Sequence, residues 1–116
     1  MTVAELAGRL GGTVVTAAAD TGREVCGGYA SDLLSDVIAN AREGDAWVTL
    51  QRHVNVVAVA QLKALAAVVL VNGRQPEPDT VARANEERIP IVSTALTAFD
   101  AVGALYEAGI RGRGAS

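Results

Sequence analysis

The sequence predicts an α/β domain: a compact sheet, mostly parallel in a C-terminal βαβαβ part, flanked by helices. Three observations carry that prediction. From Ala46 onward, short β-branched or apolar runs alternate with stretches of helical periodicity across short connections; such alternation makes parallel strands joined by right-handed crossovers. Residues 67–71 (AVVLV) form a continuous apolar run, as expected of a parallel strand covered on both faces, so its place is central. Hydrophobic residues make up 50% of the 116 positions and aromatic ones only 3%. The core is therefore built from Val, Ala, Leu and Ile, which suits strands covered by helices.

Each element has its own warrant. Thr2 and Glu5 stand at capping-box spacing, and Val3, Leu6, Ala7 and Leu10 then share one side of a helix that Gly11-Gly12 ends. Residues 13–16 are rich in β-branched side chains and read as a short strand; Asp20-Thr21-Gly22 is a turn, and residues 24–29 form a second strand. Leu33, Leu34, Val37, Ile38 and Ala41 recur at helical spacing over residues 32–41, with Ser31 or Asp32 as the cap and Gly44 beyond the end. There follow a strand at 46–51, a helix at 55–65, the strand at 67–71, a helix at 79–88, a strand at 91–93 and a helix at 98–108. The helix at 55–65 is apolar nearly all round, with Gln61 and Lys63 as its main polar interruptions. It is either deeply covered or part of a subunit interface, for which Val56, Val59 and Leu62 are the candidates. One domain is expected to span residues 1–110. The tail RGRGAS at 111–116 has no apolar anchor and is expected to be disordered.

Composition narrows the function. A net charge of −3 and a pI near 5.0 argue against nucleic acid, because a chain without a basic stripe gains little from counterion release. One cysteine makes neither an internal disulfide nor a cysteine-rich metal site. The start of the chain is amphipathic and lacks the basic and apolar segments of a leader, so a cytoplasmic location is expected. The apolar stretch 54–71 is interrupted by Gln61 and Lys63 and closed by Asn72-Gly73, which makes it helix then strand instead of a membrane span. No cofactor and no metal site are expected.

The stretch CGGYASDLLSDV at 26–37 tests the catalytic readings. Its Gly27-Gly28 pair fits neither a Walker loop nor a GxGxxG fingerprint. Glycines there allow a bulge or close packing at a strand end; the alternative is close approach of a ligand at Gly28, near the amides of Ser31 and Asp32. Cys26 sits in a strand pattern, where a small buried side chain is expected. As a nucleophile it would need a base, and the single histidine, His53, lies on a different loop. A lone histidine at no ligand spacing makes no metal site. Asp32 with Asp36 and the Glu86-Glu87 pair read as helix-start and solvated acids.

The functional weight falls on the carboxyl ends of the strands, where open parallel sheets bind ligands. Gln51, Arg52, His53 and Asn55 follow one strand, Asn72, Gly73 and Arg74 the next, and Ser93 and Thr94 another. Arg52 and Arg74 suit a phosphate or carboxylate, with helix N-termini adding favourable dipoles. The competing account is structural: Asn55, Asp79 and Thr97 are good helix caps, and Asn72-Gly73 a good turn.

Residues 27–76 (GGYASDLLSDVIANAREGDAWVTLQRHVNVVAVAQLKALAAVVLVNGRQP) and 89–99 (IPIVSTALTAF) resemble the DRTGG domain family. The similarity runs from the first helix to about Ile110, and its distinctive parts are GGYxSDLLSDV, WVTLQxHxNxVAVA and VNGR. The literal DRTGG string is absent; Asp20-Thr21-Gly22-Arg23 is a rough echo of it. The resemblance implies a regulatory module with no catalysis of its own. Such domains occur as standalone proteins, beside CBS pairs in regulated pyrophosphatases and in phosphotransacetylase-like proteins, and their fold is similar to the N-terminal domain of HPr kinase. It also implies dimerisation, in line with the over-apolar helix. The combined expectation is a homodimeric regulatory or interaction domain that senses a nucleotide or phosphorylated metabolite at its carboxyl edge. The alternative is a ligand-free adaptor for a partner enzyme.

Overall fold

The computed structural model describes residues 1–113. In chain order the elements are α1 (Val3–Arg9), β1 (Thr13–Val14), β2 (Gly27–Ala30), α2 (Leu34–Asn40), β3 (Asp45–Thr49), α3 (Asn55–Leu62), β4 (Ala67–Leu70), α4 (Pro78–Glu87), β5 (Ile91–Ser93) and α5 (Ala98–Glu107). The strands form one five-stranded sheet in the order β1-β5-β4-β3-β2. β2 to β5 are parallel, and β1 alone runs antiparallel, against β5. The α/β prediction holds, and β4 is central as its apolar run requires.

Side-chain alternation sorts the core into two layers. Ala46, Val48, Val69, Val71 and Val92 face the side covered by α1 and α5, where Leu6, Leu10, Ala101 and Leu105 meet them. Trp47, Val68, Leu70 and Ile91 face α2, α3 and α4, packing with Val37, Val56, Val57 and Ala84. α3 is apolar all round because it lies between α2 and α4 over the sheet. Val56 is fully buried and Val59 nearly so, within the chain's own core, which corrects their candidacy for a subunit interface; Leu62, 69% exposed, is the one of the three with surface to offer.

Local chemistry explains most boundaries and the departures from expectation. Both halves of the capping box form: the Thr2 hydroxyl accepts from Glu5 N at 3.2 Å, and the Glu5 carboxylate accepts from Thr2 N at 2.9 Å. β1 stops after Val14 because Thr16 turns its hydroxyl to accept from Ile91 N at 3.0 Å, substituting a side chain for the ladder. β2 starts at Gly27; before it, Glu24 makes only an isolated bridge to Thr2. Cys26 therefore precedes the strand and is exposed, against the expectation of burial. Its N–H donates to Gly44 O at 2.9 Å, and Gly44, at φ +82°, leaves room for the sulfur: a Cβ there would come within 2.8 Å of Cys26 Sγ.

The caps also differ in part. α2 begins after Leu33, which gives no side-chain cap; Ser31 Oγ accepts from Leu33 N at 3.2 Å, and Asp32 is drawn elsewhere. Asn55 is the first residue of α3 and Asp79 lies in the first turn of α4, with Val54 and Glu77 at the cap positions. Thr97 does cap α5, accepting from Asp100 N at 3.2 Å. At the C-terminal end, Arg111 O accepts from Gly28 N at 3.1 Å on the outer edge of β2, its guanidinium lies 3.7 Å from the Tyr106 ring centroid, and Arg113 Nε donates to the buried Asp45 carboxylate at 3.1 Å. The rest of the tail for which disorder was expected, residues 114–116, lies outside the described residues.

Candidate functional site

The carboxyl ends of β3 and β4 lie side by side, and the segments leaving them carry the chain's best ligand-binding groups. At the end of β3, the Asp32 carboxylate reaches across from the β2–α2 connection and accepts from Thr49 Oγ1 at 2.8 Å and from Leu50 N at 2.7 Å. Gln51 closes the same junction, donating Nε2 to Asp32 O at 2.8 Å. These bonds fix the direction in which residues 50–53 leave the sheet.

The next layer pins that loop to α4. Arg52 O accepts from Thr80 Oγ1 at 2.8 Å and Glu77 N at 3.2 Å, while Arg52 Nε donates to Gln75 O at 2.7 Å. His53 Nδ1 lies 2.9 Å from Glu77 Oε1. After β4, Asn72 and Gly73 take positive φ of 59° and 67° and make the expected turn, their amides donating to Leu96 O and Thr94 O at 2.8 Å each. Ser93 Oγ donates to Arg74 O at 2.7 Å and accepts from Gln75 Nε2 at 3.0 Å.

The result is a cleft of about 330 Å³ lined by Asp32, Leu50, Gln51, Arg52, His53 and Arg74. Of the residues singled out from sequence, Asp32, Gln51, Arg52, His53 and Arg74 meet there. Ser31 lines an adjoining hollow with Asp32, and Gly28 lies farther along β2 in a third. Asn55 is in α3, Asn72 shapes the turn, and the buried Ser93 and Thr94 brace loops, Thr94 Oγ1 donating to Leu10 O at 2.8 Å. Sequence reasoning missed Leu50, Gln75 and Glu77. Glu77 is 24 positions from His53 and no local pattern announces that pairing.

The two arginines differ in a useful way. Arg52 is held by a backbone carbonyl, whereas the exposed Arg74 side chain makes no hydrogen bond or ion pair with a described residue. An anion entering the cleft therefore meets one positioned guanidinium and one free to close on it. Nearby, the Ser31 hydroxyl, with those of Tyr29 and the Asn40 amide, holds the Asp36 carboxyl below its ordinary range, and the bond to Asp36 raises the Tyr29 phenol. That cluster braces α2 against β2 and lies outside the cleft lining.

Cys26 and His53 do not meet. Gly27 pairs with Asp45 at the amino end of β3, so Cys26 lies before that end and His53 beyond the other. The four steps of β3 alone separate those ends by about 13 Å.

No curated protein sequence matches the chain. Among solved structures it is similar to the CBS and DRTGG domains of the regulatory region of Clostridium perfringens pyrophosphatase, determined in complex with the activator diadenosine tetraphosphate. Identity is 12% with a TM-score of 0.69 over 90% of this chain, a likeness of fold alone. The chain spans 45% of that one. The family model of the DRTGG domain matches residues 5–108, nearly the whole length, and the protein belongs to the DRTGG domain family.

Proposed function

We propose that this protein is a non-catalytic regulatory domain, a homodimer, that senses a small anionic metabolite or nucleotide at the carboxyl edge of its sheet. The observation that carries the reading is the convergence of Arg52 and Arg74, from adjacent strand ends, on one cleft of about 330 Å³. The separation of Cys26 from His53 weighs against nucleophilic chemistry. The fold is shared with a pyrophosphatase regulatory region that takes a dinucleotide activator, which supports regulation as the class of function. Inorganic pyrophosphate, AMP and ADP are expected to raise the Tm of the wild-type protein by several degrees, as mass action requires of a ligand that binds only the folded state. Arg52→Ala/Arg74→Ala is expected to abolish the shift while its ligand-free Tm stays close to wild type. A wild-type Tm indifferent to all three compounds at millimolar concentration would sink the sensing part.

Dimerisation has a separate readout. Leu33, Leu62 and the α5 residues Phe99 and Tyr106 are the most exposed large apolar side chains among the described residues and the surface offered to a second copy. Sedimentation velocity at micromolar concentration is expected to give a dimer; a monomer up to the highest soluble concentration removes that part. A second reading is an adaptor for a larger enzyme, favoured by Phe99, which is 87% exposed. It predicts a Tm that no ligand moves and a specific enzyme retained by wild type but lost by Phe99→Asp.

A further inference from the structure

The anion cleft does not end at the arginines. Asp32 and Leu50 line it and also a second hollow of about 210 Å³. Ala30 and Val48 in turn line that hollow and a third of about 180 Å³. The third lies between β2 and α5, where Gly28, Ala30 and Val48 meet Val102, Tyr106 and Ile110. It exists because α5 packs on β3 and reaches the neighbouring edge strand only through the segment after it, where Ile110 lies over Gly28 and Arg111 O accepts from Gly28 N, while β2 presents only glycine and alanine on that side of the sheet, its Tyr29 pointing to the other layer. The run of hollows crosses from the end of β4 to β2, two strand spacings or about 10 Å.

We infer that this run is a single binding site for a nucleoside monophosphate, with phosphate at Arg52 and Arg74, ribose hydroxyls at Asp32 and the base in the trough between β2 and α5. The inference rests on the reading of the cleft as an anion site and adds what the rest of the ligand must be. Three features select the class. The two guanidiniums take the anionic head. Asp32 stands where the two hollows join; Thr49 and Leu50 both donate to its Oδ1, so its other oxygen remains an acceptor, suited to hydroxyl groups about midway along a ligand. The trough is walled mainly by apolar side chains, with Arg111 stacked on Tyr106 at one end, and its volume is of the order that admits one aromatic ring system, since an apolar cavity near 150 Å³ holds benzene. A bare phosphate leaves the trough empty, and a simple hydrocarbon acid leaves Asp32 without a donor.

Calorimetry on the full chain with AMP and ribose 5-phosphate separates the parts. AMP is expected to bind at least tenfold more tightly than ribose 5-phosphate. Val102→Phe, on the α5 wall of the trough and outside the other two hollows, is expected to bring AMP down to the affinity of ribose 5-phosphate without changing the latter; Ala30→Leu, which lines the middle hollow as well, is expected to weaken AMP more than ribose 5-phosphate. Arg74→Ala should weaken both compounds alike. Equal affinity of wild type for the two compounds overturns the trough assignment and leaves the anion cleft standing, whereas no binding of either overturns the cleft as well. If Ala30→Leu and Val102→Phe change the sedimentation coefficient but not AMP affinity, a second copy occupies the trough and the inference falls.

Discussion

Trp47→Ala is expected to destabilise the fold by about 3–5 kcal/mol, the range for removing a fully buried large aromatic side chain. Trp47 is completely inaccessible in β3 and is among the largest buried side chains. It packs in the layer that holds Val37, Val56 and Val68. Its indole Nε1 also donates to Ser31 O at 2.7 Å, so the alanine variant leaves a carbonyl without its partner as well as a cavity. Against a total stability of roughly 5–15 kcal/mol for a domain of this kind, the loss lowers Tm by more than about 10 °C. Trp47→Phe keeps most of the volume and isolates the hydrogen bond, with an expected cost of about 1–2 kcal/mol. Urea unfolding followed by circular dichroism is the suitable measurement, because the variants lack the protein's single tryptophan. A cost below about 1 kcal/mol for the alanine variant would mean that Trp47 does not anchor that layer.

Trp47 also shows where sequence reading succeeds. Its strand, its neighbours and the central place of β4 follow from apolar runs bounded by turn residues, and burial on both faces left a pattern in the chain itself. The strand at Ile91–Ser93 was legible for the same reason, and α4 and α5 from helical spacing between turn residues, each burying one side only. What failed were positions decided by partners remote in sequence. Asp32 is a good cap by composition, yet Thr49 and Leu50 draw its carboxylate to β3, and Leu33 is left at the cap of α2. Cys26 fitted a strand pattern, but pairing begins one residue later. Val56 and Val59 had the hydrophobicity of an interface; α2, α4 and the sheet use all of it. At the candidate site, β/α alternation was enough to bring Arg52, His53 and Arg74 to one edge. The trough beside them was not legible, because it depends on how α5 and the segment after it meet β2, although a glycine at position 28 is itself a sign of close approach.

Asp32→Ala is the variant expected to damage the site most without touching either arginine. The carboxylate joins the β2–α2 connection to the end of β3, and its two acceptor bonds, at 2.8 and 2.7 Å, are charge-assisted and shorter than ordinary neutral ones. Removing it leaves the hydroxyl proton of Thr49, a residue only 2% exposed, without an acceptor, although the oxygen still accepts from Gln51 N at 3.2 Å; the cost is about 1–3 kcal/mol for a buried donor that loses its partner. Thr49→Val takes away the hydroxyl itself and nearly conserves shape, so the double variant is expected to be more stable than the sum of the two single losses implies, by about 1 kcal/mol of coupling. Strict additivity would show that Asp32 does not clamp the strand end. Hydrogen exchange gives an independent check, since Leu50 N donates directly to Asp32: its amide is expected to exchange at least tenfold faster in Asp32→Ala, while that of Val69 in the central strand keeps its protection. Asp32→Asn retains an acceptor oxygen without the charge and is expected to fall between the two. A loosened β3 end lets Arg52 drift from Arg74, and the acceptor proposed for the ribose hydroxyls is lost as well, so AMP affinity is expected to fall in Asp32→Ala even though both guanidiniums remain.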